Sequence, residues 1–110
     1  MSEAEMRELD AWIAEHLFEL KVAERRGGEV MMHYQTKGGK WMPMDWVAYT
    51  KSPADALAVL KRCTEKGRLT IYREGRYWLI ENRTHLLSRA PTLEEAICIA
   101  AKALFDQHGK

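Results

Sequence analysis

Two short apolar runs, Leu69-Thr70-Ile71-Tyr72-Arg73 and Tyr77-Trp78-Leu79-Ile80, are joined across Glu74-Gly75. β-prone residues on both sides of a short glycine turn specify an antiparallel hairpin. A third strand is expected from His85 to Arg89, after Asn82-Arg83, giving a β-meander over 69–90. A mostly antiparallel sheet of this kind has an apolar face that needs cover, and amphipathic helices are the usual cover.

Three segments read as such helices. From about 2 to 21, or longer, Met6, Leu9, Ile13, Leu17 and Leu20 recur at three- and four-residue spacing, broadened by Trp12 and Phe18. Arg25-Arg26 followed by Gly27-Gly28 supplies a stop signal for this helix, since cations and glycine suit a helix C-terminus. Ser52-Pro53-Ala54-Asp55 opens a second helix over about 53–66, with a serine cap, a proline at the first turn and a carboxylate at the positive end of the dipole. Ala56, Leu57, Leu60, Cys63 and Thr64 line one face of it. Thr92-Leu93-Glu94-Glu95 has the spacing of a capping box and opens the third helix over about 93–107, with Ile97, Ala100, Ala101, Leu104 and Phe105 as its buried stripe. Between the first two helices, 29–49 is β-rich: a strand from Glu29 to Thr36, a turn at Lys37-Gly38-Gly39-Lys40, a short run at Trp41-Met42 that Pro43 confines to an edge, and an extended piece from Asp45 to Tyr49. The expected fold is α+β, an α-β-α sandwich in which three amphipathic helices cover a mostly antiparallel sheet, built as a single domain over 1–110.

The 110 residues hold 17 Lys+Arg against 16 Asp+Glu, so no overall field directs the chain to nucleic acid or to a membrane, and only a local basic patch has room to act. No apolar run approaches the ~18 residues that span a bilayer, and the acidic start MSEAEMRELD is unlike a secretory leader. A cytoplasmic setting is expected. Cys63 and Cys98 both fall on helical stretches and read as buried thiols rather than as a disulfide.

Three blocks, taken in order, are similar to a known family. Glu8-Leu9-Asp10-Ala11-Trp12-Ile13-Ala14-Glu15-His16 resembles the opening helix of the phage ABA sandwich domain. Tyr49 with Ser52-Pro53-Ala54-Asp55-Ala56-Leu57-Ala58-Val59-Leu60 resembles its second helix and lead-in, and Thr92 to Leu104 resembles its final helix. With the hairpin ending in Tyr77-Trp78 the resemblance covers nearly the whole chain; Val30 to Trp46 has no firm counterpart. It implies a phage or prophage origin, a layered fold and a host-cytoplasm setting. It carries no biochemical activity and therefore no residue role.

Reactive chemistry finds little in the sequence. His16, His33, His85 and His108 lack His or Cys partners at metal-ligand spacing, so no metal and no cofactor is expected. Ser52 is explained as a cap, and neither it nor Ser88 sits in a nucleophile elbow, so the chain is expected not to be an enzyme; a small enzyme with a site assembled by tertiary folding is the remote alternative. The acidic residues fall mostly on the polar faces of the first and third helices, where they read as solvated. The candidate binding residues are His33, Tyr34, Lys37, Lys40, Trp41 and Trp46, rings interleaved with cations around the glycine turn. Such a set suits a protein partner's hot spot, or base stacking with phosphate attraction. The same tryptophans suit packing between sheet and helix, and both accounts stay open. The α-β-β-β-α order of the last half is also similar to a double-stranded RNA-binding domain. The start of the final helix, where that module meets phosphates with basic residues, holds Glu94 and Glu95 instead. Arg68, Arg73, Arg76, Arg83 and Arg89 populate the meander and read as solvated charges that discourage strand-to-strand aggregation. The reading as a whole is a non-catalytic phage accessory protein, monomer or homodimer, with a protein partner first and nucleic acid or a nucleotide second.

Overall fold

The computed structural model describes residues 2–19, 21–27, 29–35, 38–43 and 49–106. The meander forms as its pattern requires: β4 (Thr70–Glu74), β5 (Tyr77–Glu81) and β6 (Leu86–Ala90) make a three-stranded antiparallel sheet in that order. Glu74 pairs with Tyr77 across a two-residue turn in which Gly75 takes φ 62. Glycine first with Arg76 at negative φ is the type II′ arrangement, whose twist matches that of paired strands. Residues directly opposite share a face, so Ile71, Ile80 and Ser88 lie on one side, and Tyr72, Leu79 and Arg89 on the other.

Each helix starts where a side chain satisfies its first free N–H groups. Helix α1 (Glu3–His16) is opened by Ser2, whose Oγ accepts from Glu5 N while the Glu5 carboxylate accepts from Ser2 N, a complete capping box. Helix α2 (Pro53–Thr64) is capped by Ser52 with Pro53 in its first turn, as its sequence predicts. Helix α3 (Leu93–Phe105) is capped by Thr92, which accepts from Glu95 N; of the expected box, this is the half that forms, because the Glu95 side chain turns inward and is buried.

The first helix is shorter than its periodicity predicts. It ends at His16, and Lys21–Gly27 is strand β1, paired in antiparallel register with β2 (Glu29–Gln35) so that Gly27 lies opposite Glu29. Gly27 is therefore the last residue of β1 and not a helix stop, and Gly28 lies outside the described residues. Two features end α1 early. Glu19 takes φ 56, the left-handed conformation usually left to glycine, and Arg62 Nη2 of α2 donates to Leu17 O at 2.8 Å, satisfying a carbonyl that a longer helix would have used internally. Strand β3 (Trp41–Pro43) completes the sheet β1-β2-β3. The piece expected from Asp45 to Tyr49 lies outside the described residues except for Tyr49, which is in a turn.

The fold is α+β, with a finer arrangement than one layer under three helices. Its antiparallel strands form two three-stranded sheets among the described residues. Pro43, at the end of the short edge strand β3, has no N–H with which to extend the first sheet. Helix α3 packs on β5 and β6 and also on α1 and α2, while α1 meets β1 and β2. The core joins Leu9, Ile13 and Leu17 of α1, Val59 and Cys63 of α2, Ile80 and Ala90 of the meander, and Ala96, Ile97, Cys98, Ala100 and Ala101 of α3. Leu79 is buried apart from this cluster, on the opposite sheet face between Tyr72 and Arg89. Gly75→Ala is expected to lower stability by about 1 kcal/mol in urea unfolding, wholly through backbone strain, since an added Cβ would meet nothing within 4 Å.

Candidate functional site

Of the residues that the sequence singles out, the fold brings some to one hairpin. The β2–β3 register sets His33 opposite Pro43, Tyr34 opposite Met42 and Gln35 opposite Trp41. Gly39 takes φ 87 in the turn, and Gln35 Nε2 donates to Gly39 O at 3.0 Å. Lys40 is exposed, and Trp41 is 42% exposed, so at this position the ring is not core filling. Lys37 and Trp46 lie outside the described residues. The arginines of the meander are not all merely solvated: Arg89 sits 4.2 Å from the centre of the Tyr77 ring, and Arg73 sits 5.7 Å from that of Trp78.

Two carboxylates depart from the solvated-face reading. Asp10 is buried and accepts from Thr50 N at 2.9 Å and from Thr50 Oγ1 at 3.2 Å, tying α1 to the turn ahead of α2. Burial pushes its carboxyl up to about 6 from 3.8, against the pull of the two Thr50 hydrogen bonds and of Lys51. Both oxygens are committed within the fold, which gives Asp10 a structural task. Glu95 is buried on α3, so the carboxylate that would repel phosphate in an RNA-binding module points into the protein. Cys63 and Cys98 are free and buried in the core. Burial pushes the Cys63 thiol up to about 12 and raises that of Cys98 as well, which keeps both in the unreactive thiol form. Among the described residues, no group of three or more His, Cys, Asp or Glu side chains is placed to hold a metal ion.

A groove between α1 and α3 is the feature that sequence reasoning missed. Glu5, Glu8, Leu9 and Trp12 line one wall and Ile99, Lys102, Ala103 and Asp106 the other, enclosing about 590 Å³. Each wall is an i, i+3, i+4, i+7 row, the residues that share one side of a helix. Leu9, Trp12, Ile99 and Ala103 make the floor apolar, while Glu5, Glu8 and Asp106 make the rim acidic around Lys102. Trp12 stacks on His16 with ring centres 4.2 Å apart, and Lys102 Nζ lies 5.9 Å from the Trp12 ring centre, so the indole is held from two sides. A sequence signal existed. Ile99 lies half a turn away from the Ile97–Ala101–Leu104 stripe, an apolar residue outside the row that the helix buries most deeply.

No family model, curated protein or solved structure matches this chain.

Asp10 makes stability depend on pH with a definite sign. A carboxyl whose folded pKa is about 6 and whose unfolded value is near 3.8 binds more protons in the folded state between those values, so its contribution is full at the acid end and is lost as pH rises through 6. Urea unfolding should register a loss on the order of 2 kcal/mol from this group across that window. Asp10→Asn, which keeps an acceptor for Thr50 N and does not titrate, should remove the slope, whereas Asp10→Ala should cost about 1–3 kcal/mol by leaving that N–H buried without an acceptor. A thiol-specific reagent in mildly alkaline buffer should leave both cysteines unmodified until denaturant is added.

Proposed function

We propose that this chain is a non-catalytic binding module and that it receives a protein segment along the α1–α3 groove. The observation that carries this reading is the pairing of two apolar rows beneath an acidic rim. The eight residues that each wall spans extend about 10 Å, room for about two turns of a partner helix. An apolar floor takes the side chains of such a helix at i and i+3 or i+4, the usual mode of helix-in-groove recognition. With Glu5, Glu8 and Asp106 against Lys102, the rim favours a partner whose flanking residues are Lys or Arg.

The resemblance to the phage ABA sandwich domain extends the proposal to an accessory protein of a phage or prophage, acting in the host cytoplasm on a host or phage protein. Among the described residues no helix is long and apolar enough to cross a membrane. A second reading rests on Trp41, whose exposed ring beside Lys40 suits stacking on a nucleobase next to a phosphate.

The two readings separate in one set of titrations. A two-turn amphipathic peptide with leucines on one face and lysines on its flanks is the probe, and its glutamate-flanked counterpart is the control. The lysine peptide should bind and the glutamate peptide should not. Ile99→Glu should weaken binding by about tenfold or more, since it puts a charge on the apolar floor, and Trp41→Ala should leave it unchanged. Lysine and glutamate peptides binding alike, or Ile99→Glu binding as wild type does, sinks the groove reading. Host-lysate capture with and without nuclease completes the comparison: a protein retained after nuclease but lost in Ile99→Glu supports the first reading, and nucleic acid lost in Trp41→Ala supports the second.

A further inference from the structure

The opposite electrostatic feature lies where the chain leaves α2. The chain leaves that helix through Lys66-Gly67-Arg68 and enters β4, while the β5–β6 connection runs through Asn82-Arg83-Thr84 beside it. These six residues line a cleft of about 360 Å³. Three of them are cations and none is a carboxylate. Arg68 and Arg83 are exposed and make no ion pair among the described residues. Glu65, the acidic residue closest in sequence, has its carboxylate 3.6 Å from Arg62 Nη1 and does not line the cleft. The C-terminal carbonyls of α2, which would otherwise disfavour an anion here, are partly covered: Cys63 O accepts from Lys66 N and Thr64 O accepts from Gly67 N.

The cleft is also held in shape. Asn82 Oδ1 accepts from Thr84 N, Thr84 Oγ1 and His85 N at 2.7–3.0 Å, and Asn82 N donates to His85 O, which fixes the turn carrying Arg83. Lys66 Nζ lies 4.9 Å from the Phe105 ring centre, which anchors the lysine against α3. Beside that lysine Gly67 takes φ 142, and nothing stands within 4 Å of where its Cβ would be, so no side chain fills the cleft at this position. Three cations and no carboxylate lining one cleft leave it positively charged, and a multiply charged anion is the partner that such a lining favours. Guanidinium groups offer the forked donors that phosphate oxygens accept.

We propose that this cleft is a phosphate-binding site, with Arg68 and Arg83 as the charged forks and Lys66 as the anchored point charge. The phosphate belongs either to a nucleic-acid backbone or to a free phosphate or nucleotide. The site is separate from the groove and does not depend on the function proposed for it.

The test uses the full chain with inorganic phosphate, a nucleoside monophosphate and a short labelled oligo(dT). Thermal unfolding in phosphate against chloride at equal ionic strength, and anisotropy of the oligonucleotide over a salt series, are the readouts. Wild type should gain stability in phosphate, bind the oligonucleotide, or both. The double variant Arg68→Ala/Arg83→Ala should lose about tenfold or more in affinity, and for the oligonucleotide the slope of log K against log salt should fall by about 0.7 for each cation removed. Arg76→Ala, in the turn at the other end of the meander, should behave as wild type in both assays. Oligonucleotide binding that millimolar phosphate fails to displace assigns the site to a backbone; equal competition by phosphate or the nucleotide assigns it to the free anion. A wild type that responds to none of the three ligands overturns the proposal. So does a double variant that keeps the wild-type circular dichroism spectrum and binds as wild type does.

Discussion

The burial of α3 is the constraint on which the rest of the structure depends. Ala96, Ile97, Cys98, Ala100 and Ala101 are all buried, and the helix packs on β5 and β6 as well as on α1 and α2. A helix with neighbours on several sides must carry small residues where backbones approach and larger ones where gaps open, and its alanines and cysteine alternate with isoleucines accordingly. The same demand explains why Cys98 is an inert filler and not a reactive thiol. It also explains the groove: α1 and α3 touch along their core-facing sides, so their outward rows diverge and leave Ile99 and Trp12, half-buried, on the floor of a channel.

Much of this was legible in the sequence, for identifiable reasons. The meander follows from glycine at a two-residue turn between β-prone runs, and the starts of α2 and α3 follow from Ser52-Pro53 and Thr92, all local signals. The end of α1 was not legible. Lys21 to Arg26 reads as a continuing helix by propensity, and it becomes a strand because β2 pairs with it and because Arg62, from a distant helix, takes the Leu17 carbonyl. Pro43 does announce that its short strand lies at an edge, but no spacing of residues announces that the strands divide into two sheets. Tertiary partners decide each of these cases, and a periodicity holds no record of them.

The candidate surfaces divide the same way. Trp41 is exposed next to Lys40, while Lys37 and Trp46 of the same candidate set lie outside the described residues. The groove needs two helices brought side by side from opposite ends of the chain, and the basic cleft needs the exit of α2 placed beside the β5–β6 turn. Charge is thereby sorted in space even though it balances in total, with carboxylates around the α1–α3 rim and cations where α2 gives way to the meander. A near-neutral chain thus carries two local surfaces of opposite sign.

The Asp10–Thr50 pair joins residues 40 positions apart, and the Arg62–Leu17 contact spans a further 45. From Pro53 to Phe105, by contrast, successive elements are mostly neighbours in space, so that part of the chain can assemble through short loop closures. The aspartate and arginine contacts are the polar fasteners that tie α1 and its C-terminal cap to the two flanks of α2.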